Sequence, residues 1–139
     1  MDLEIRTIAE DEFATYARAV GLAFSDVLTD EDLERERVLV EFDRSFAALD
    51  GPDIVGTSAV FTMPMTVPGG EIDVGYVTAV GVRATHRRRG INTRLMRTVL
   101  EDAHDRGELV DVLYASEGGI YGRYGYGLGT FGYSIELEV

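Results

Sequence analysis

Three consecutive arginines in a glycine-containing turn are the residues of this sequence best suited to bind a charged ligand. They stand in Arg87-Arg88-Arg89-Gly90-Ile91-Asn92, directly ahead of a segment with helical periodicity. The first turn of a helix has unpaired backbone amides and a partial positive charge, and guanidinium groups add charge-assisted hydrogen bonds to phosphate oxygens. The run therefore predicts a phosphate or pyrophosphate site, against the alternatives of a solvated basic turn or a nucleic-acid patch. Its amide donors would be those of Arg88, Arg89, Gly90, Ile91, Asn92 and Thr93.

A strand before this turn and a helix after it would position the site. Val77–Val82 is rich in valine and favours a strand, which Gly81 interrupts as a bulge or a close backbone approach would. The backbone of Val80, Gly81 and Val82 would lie at the C-terminal end of this strand, where α/β sheets bind ligands. The helix would end at Gly107 and bury one face, formed by Ile91, Leu95, Met96, Val99, Leu100 and Ala103.

The other segments predict one mixed α/β domain over residues 1–139, without a linker or an internal repeat. Leu109–Ala115 reads as a strand parallel to Val77–Val82, joined to it by a helical crossover. The predicted helices also include Glu10–Phe24, one that starts near Thr29, and a short turn over Gly119–Tyr124. The remaining predicted strands are Leu3–Ile8, Arg44–Leu49, Ile54–Phe61 and Thr130–Val139, with turns at Asp50–Asp53 and Pro68–Gly70.

The charge balance is strongly acidic, but its basic part is local. The net charge is −12, every one of the 13 basic residues is arginine, and six of them lie between Arg83 and Arg97. An acidic chain repels nucleic acid, and its charge favours solubility or attracts a cationic substrate. The absence of cysteine excludes disulfides, thiolate nucleophiles and Cys-based metal sites, and no metal is expected. Without a signal peptide or a long apolar run, we expect a cytoplasmic protein that does not enter the membrane.

A second motif follows the predicted parallel strand, as Ala115-Ser-Glu-Gly-Gly-Ile-Tyr-Gly-Arg-Tyr-Gly-Tyr-Gly127. Together with the arginine run it resembles the GCN5-related N-acetyltransferases (GNAT), and within them the N-terminal portion of the Eis (enhanced intracellular survival) branch. Asn92 departs from the small residue usual in the wider superfamily. The resemblance implies the GNAT fold, a mixed and mostly antiparallel sheet with a splayed central parallel strand pair, flanked by helices.

The resemblance also implies acetyl-CoA as co-substrate and an acetyl transfer directly to an amine. The cofactor would contact Val80, Gly81 and Val82, the run from Arg87 to Thr93, Ser116 and Glu117. Tyr121 falls on the general acid of the Eis proteins. A phenol with a pKa near 10 is protonated at neutral pH and can give its proton to the departing thiolate. We expect Tyr124 and Tyr126 to pack on the sheet or line the pocket.

The acceptor would be a small-molecule or peptide amine, with Phe24, Ser25 and Asp26 as candidates for the wall of its site. Eis proteins use the C-terminal carboxylate of a longer chain as the base, which leaves Glu117, Asp26 or an ordered water here. His86 is expected to be structural, without a carboxylate partner. The alternative function is a non-catalytic acyl-CoA-binding or oligomerisation module, and the sequence leaves open whether the chain forms a homo-oligomer.

Overall fold

The computed structural model describes residues 3–132 and 135–136 as a five-stranded sheet with helices on both faces. The strands follow one another in chain order across the sheet. The first four pair antiparallel, and the fourth and fifth pair parallel. This confirms the predicted mixed sheet with one parallel pair. The strands are β1 (Leu3–Thr7), β2 (Ser45–Asp50), β3 (Asp53–Val67), β4 (Gly70–Val82) and β5 (Asp111–Leu113), and the helices are α1 (Phe13–Phe24), α2 (Asp30–Arg37) and α3 (Ile91–Arg106).

Alternation along β2 divides the core between the two faces of the sheet, because successive side chains of a strand point in opposite directions. Phe46 and Ala48 belong to the cluster that contains the buried face of α3. Ala47 and Leu49 belong to the cluster that contains Tyr16 of α1. Helices α1 and α3 therefore cover opposite faces. The buried α3 residues Ile91, Leu95, Met96, Val99 and Ala103 are those that the sequence predicted, while Leu100 is half-buried.

The helix ends follow local sequence signals. Helix α2 starts with a capping box in which the Thr29 hydroxyl accepts from the Asp32 amide and the Asp32 carboxylate accepts from the Thr29 amide. Helix α3 ends at Gly107, whose left-handed φ of 74° closes it as predicted. Helix α1 begins later than predicted, because Glu10–Glu12 form a 3-10 turn before it.

A β-bulge interrupts β4 immediately before Gly81. Thr57 pairs with Gly81 and Ala59 with Thr78, so Ala79 and Val80 together face Ser58. Ala79 has the left-handed φ of 52°, which is unusual for a residue with a side chain. The sequence predicted this bulge at Gly81, one residue after its observed position at Ala79 and Val80.

Two backbone carbonyls at this bulge accept hydrogen bonds from side-chain hydroxyls. The Thr57 hydroxyl donates to the Ala79 carbonyl at 2.8 Å. The Tyr16 hydroxyl donates to the Ser58 carbonyl on the facing strand, also at 2.8 Å. Gly81 itself lies where α1 approaches the sheet, since a Cβ at this position would be 2.5 Å from the Cβ of Ala23. The predicted close approach at Gly81 is thus confirmed.

The C-terminal part of the chain departs most from the prediction. Strand β5 covers only Asp111–Leu113 of the expected Leu109–Ala115. The 3-10 turn Gly118–Tyr124 matches the predicted helical turn. The closing strand predicted over Thr130–Val139 falls in part outside the described residues, and residues 130–132 and 135–136 form no strand. In the portion that the structure describes, no helix has the length and apolar character needed to cross a membrane.

Candidate active site

The centre of the candidate site is a cleft where β4 and β5 separate. The two strands pair only over Gly75–Val77 and Asp111–Leu113, and β4 then continues alone to Val82. This confirms the predicted splayed strand pair. The cleft has a volume of about 190 Å³. It is lined by Phe24, Tyr76, Val77, Thr78, Ala79, Val80, Tyr114, Ser116 and Tyr121.

Tyr121 is held in this cleft by the 3-10 turn Gly118–Tyr124. Its ring is half-buried and packs against the core cluster beneath α3. Burial raises the pKa of the Tyr121 phenol, and the neighbouring Glu117 and Tyr124 raise it further. The phenol is therefore fully protonated at neutral pH, which is the state that a proton donor requires. Glu117 itself is exposed and does not line the cleft.

The arginine run forms an exposed turn between β4 and α3. Arg87, Arg88 and Arg89 are all exposed. Arg88 and Gly90 both have left-handed φ angles, of 65° and 78°, which fold the backbone sharply before α3 starts. Gly90 precedes the helix and carries no side chain to cap it. The side chain of the N-cap residue therefore satisfies no amide in the first turn of α3, and these amides are the donors that the sequence assigns to a phosphate site.

Tyr124 connects this turn to the segment that carries Tyr121. The Asn92 amide nitrogen donates to the Tyr124 hydroxyl at 3.3 Å, and the Thr93 hydroxyl lies 3.2 Å from the same oxygen. Tyr124 also packs against the core cluster under α3, as expected from the sequence. The two motifs that the sequence singled out therefore meet in the fold.

His86 has a carboxylate partner, contrary to the expectation from the sequence. Its Nε2 atom lies 3.4 Å from a carboxylate oxygen of Asp50. Arg83 approaches Asp53 in the same way, at 3.7 Å. Both acids belong to the turn between β2 and β3, which is distant in sequence and brought alongside by strand pairing. His86 thus joins this turn to the loop that precedes the arginine run.

A second, larger pocket of about 450 Å³ lies on the α1 face of the sheet. Two acids, Asp26 and Glu36, line it, and no basic residue in the described part of the chain does so. Phe24 and Asp26 line it as expected, whereas Ser25 ends α1 with a left-handed φ of 60° and does not. Glu36 was missed, because one acid among several on α2 carries no distinguishing signal. Phe24, Thr78 and Ala79 line both the pocket and the cleft, so the two cavities adjoin.

Among residues 3–132 and 135–136, no three His, Asp or Glu side chains are grouped to hold a metal ion.

Comparisons with known proteins agree with this architecture. A family model described as an acetyltransferase (GNAT) domain matches residues 4–129. An uncharacterized N-acetyltransferase of Streptomyces avermitilis is 39% identical over 140 residues, which cover 99% of this chain and 34% of that protein. The N-acetyltransferase Eis of Mycobacterium tuberculosis is 33% identical over 147 residues, which cover 99% of this chain and 36% of Eis. The crystal structure of Eis1 from Mycobacterium abscessus superposes with a TM-score of 0.80 at 34% identity, covering 92% of this chain and 32% of Eis1.

The chain spans about a third of the length of the curated relatives that it matches. The matched region holds both motifs, the splayed strands and the turn before α3. This chain belongs to the GNAT acetyltransferases and is similar, within them, to about a third of the length of the Eis proteins.

Proposed function

We propose that this chain is an acetyl-CoA-dependent N-acetyltransferase domain that passes an acetyl group directly to an amine. One observation carries the proposal. The cleft between the parting strands contains Tyr121 and shares Phe24, Thr78 and Ala79 with an adjoining pocket that is lined by the acids Asp26 and Glu36. A thioester and an amine bound in these two cavities would meet beside a protonated phenol.

The edge of β4 beyond Val77 supports the cofactor assignment. A pantetheine arm contains amide groups, and it would pair with backbone donors and acceptors of β4 that β5 no longer reaches. The pyrophosphate would bind at the turn before α3, where arginine side chains and open amides converge. Ser116 lines the cleft near Tyr121. The proposed cofactor-binding residues are Val80, Gly81, Val82, Arg87, Arg88, Arg89, Gly90, Ile91, Asn92, Thr93, Ser116 and Glu117.

Tyr121 would act as the general acid. When the amine nitrogen attacks the thioester carbon, a C–N bond forms, the C–S bond breaks and a thiolate leaves. The Tyr121 hydroxyl gives its proton to that sulfur, the acylated nitrogen loses its surplus proton as the amide forms, and the Tyr121 phenolate takes up a proton again before the next turnover. The raised pKa of this phenol keeps its proton on the tyrosine at neutral pH, so the donor is protonated when the thiolate forms.

The acidic pocket would bind the amine. An alkylammonium group has a pKa near 10 and carries a positive charge at neutral pH, so Asp26 and Glu36 attract it. The ammonium must lose a proton before it attacks, and Asp26 lies in the pocket to receive it. Glu117 is placed less well for this step, because it lies outside the lining of both cavities.

A thiol-release assay tests the proposal. The chain is mixed with acetyl-CoA and a panel of polyamines, aminoglycosides and lysine peptides, and free thiol is measured against time. We expect amine-dependent release with at least one member of the panel. If calorimetry detects acetyl-CoA binding while no amine gives release, the chain is instead a non-catalytic acyl-CoA-binding module.

The pyrophosphate assignment has its own test. Charge-assisted hydrogen bonds are each worth roughly 1.5–3 kcal/mol, so Arg88→Ala with Arg89→Ala should weaken acetyl-CoA binding at least about a hundredfold. The control pair Arg18→Ala and Arg35→Ala removes the same charge from exposed positions on α1 and α2, outside the arginine cluster. Dephosphorylated pantetheine should bind much more weakly than acetyl-CoA. Equal calorimetric affinities for both ligands would refute the assignment.

A further inference from the structure

Asp111 is the first residue of β5, and its carboxylate is buried. The acetyl transfer proposed above gives this residue no role. Both of its carboxylate oxygens are shielded from solvent, and neither has a hydrogen-bond partner in the described part of the chain. Its carboxyl group fills the space that a side chain at Gly75 would take, since a Cβ there would lie 2.5 Å from Asp111 Oδ1. An ionised carboxylate kept from water without a partner destabilises the fold.

The surroundings of Asp111 make its charge more costly still. Glu108 lies beside it, and this acid is already engaged by the buried Arg44 in two hydrogen bonds of 2.6 and 2.8 Å. Burial raises the pKa of Asp111 to about 6, the charge of Glu108 adds to the rise, and Arg44 and Tyr126 act against it. At neutral pH the carboxylate is nevertheless mostly ionised. A buried charged group that destabilises the fold, as this carboxylate does, calls for a functional explanation.

Tyr126 connects this carboxylate to the cleft. Its hydroxyl is buried, has no hydrogen-bond partner in the described part of the chain, and lies beside the Asp111 carboxyl. Burial and the charge of Asp111 both raise the pKa of Tyr126, so the hydroxyl keeps its proton and can only donate toward the carboxylate. The Tyr126 ring meets the Tyr121 ring edge to face, with centroids 6.0 Å apart and planes at 73°.

We propose that Asp111 and Tyr126 form a positioning pair, in which the charge of the buried carboxylate orients the neighbouring Tyr126 hydroxyl and the Tyr126 ring, edge to face with that of Tyr121, holds the Tyr121 ring in place. The inference rests on the proposed role of Tyr121 as general acid. Neither residue touches the substrates. Their effect is to hold the donor phenol in one orientation, and a misplacement of about 1 Å at a reacting group can cost a hundredfold in rate.

The decisive test is a spectroscopic one and does not depend on turnover. The chain is labelled with ¹³C at the Cζ atoms of its seven tyrosines, which are assigned with single Tyr→Phe variants. Asp111→Asn removes the charge while keeping the shape. We expect it to shift the Cζ signals of both Tyr126 and Tyr121, and to lower the pH at which Tyr126 ionises. The matched control is Asp105→Asn, which removes a carboxylate from an exposed position on α3.

Turnover and stability should then move in opposite directions. Asp111→Asn should lower kcat by roughly tenfold, leave the KM for acetyl-CoA unchanged, and raise the Tm by a few degrees above pH 6. The Asp111 carboxyl is neutral in both folded and unfolded chains below about pH 4, so the gain in Tm should vanish there. Tyr126→Phe should lower kcat by the same factor, and the double variant should be no slower than either single one.

The outcomes separate this inference from the proposed function. If the parent chain releases no thiol with any amine, the proposed function fails while the Tyr121 signal still decides the pairing. A Tyr121 signal that does not move in Asp111→Asn overturns the positioning pair, even if turnover falls. A lower Tm in Asp111→Asn at pH 7 would also overturn it, because Asp111 would then be a stabilising residue.

Discussion

At the scale of single residues, the site combines groups that the sequence revealed with groups that it hid. Tyr121 was found because it lies in a recognisable motif, and the structure adds the burial that keeps its phenol protonated. Glu36 was hidden because its place in the pocket lining depends on how α2 packs beside α1. Asp111 offered one usable signal, a carboxylate between the apolar residues of Leu109-Val-Asp-Val-Leu113.

Tyr121→Phe tests the proton donor directly. The change keeps the ring and its packing but removes the transferable proton, so kcat should fall by roughly a hundredfold to ten-thousandfold. The affinity for acetyl-CoA should hardly change, because the lost interaction forms only in the transition state. Both are read from thiol-release kinetics and calorimetry. Tyr124→Phe is the control and should cost much less. Near-normal turnover in Tyr121→Phe would move the role to a neighbouring group or to solvent.

At the scale of secondary-structure elements, most of the sheet and the helices could be predicted from the sequence. Periodicity located α3 and its buried face, and turn residues separated β2, β3 and β4. The position of the bulge could not be predicted, because Thr57 and Tyr16 stabilise it from other elements. The carboxylate beside His86 escaped prediction for the same reason, since Asp50 reaches it only through strand pairing.

Thr57→Val tests the bulge of β4. Valine has the shape of threonine but leaves the carbonyl of Ala79 without the hydroxyl donor 2.8 Å away, which should destabilise the fold by about 1–3 kcal/mol. Urea unfolding measures this loss. Acetyl-CoA should also bind more weakly, because the bulge shapes the wall of the cleft. Thr57→Ser keeps the hydroxyl and is the control. If valine and serine behave alike, the hydrogen bond does not hold the bulge.

Gly90→Val tests the turn before α3. The proposed site brings the pyrophosphate close to the backbone of Gly90, and this residue also has a left-handed φ of 78° that a β-branched residue adopts only under strain. The variant should lose acetyl-CoA affinity, measured by calorimetry, while far-ultraviolet circular dichroism shows the fold retained. Gly69→Val places the same strain in the β3–β4 turn, at φ 91°, and should leave the affinity unchanged. Normal binding by Gly90→Val would contradict both reasons.

At the scale of the whole molecule, an acidic surface surrounds a local basic turn. On the proposed function, the net charge of −12 would attract a cationic amine, while the arginines between Arg83 and Arg97 would attract the anionic cofactor. Opposite charges would thus draw the two co-substrates to different parts of one chain.

Ionic strength should weaken both interactions. The screening length falls from about 30 Å at 0.01 M salt to about 8 Å at 0.15 M, so the KM of a polyamine should rise several-fold over this range. A monoamine should respond less, because it carries less charge. The dissociation constant of acetyl-CoA, measured by calorimetry, should rise as well. A polyamine KM that is independent of salt would exclude Asp26 and Glu36 as its attractants.

The junction of the two cavities has a consequence for the order of events in catalysis. The pocket lies on the α1 face, the cleft lies between β4 and β5, and their linings share Phe24, Thr78 and Ala79. On the proposed assignment, each substrate occupies its own cavity and the acetyl group passes directly from one to the other. Both substrates must therefore be bound together before the acetyl group moves. Initial-rate plots at several fixed amine concentrations should therefore intersect rather than run parallel, and either substrate should be able to bind first.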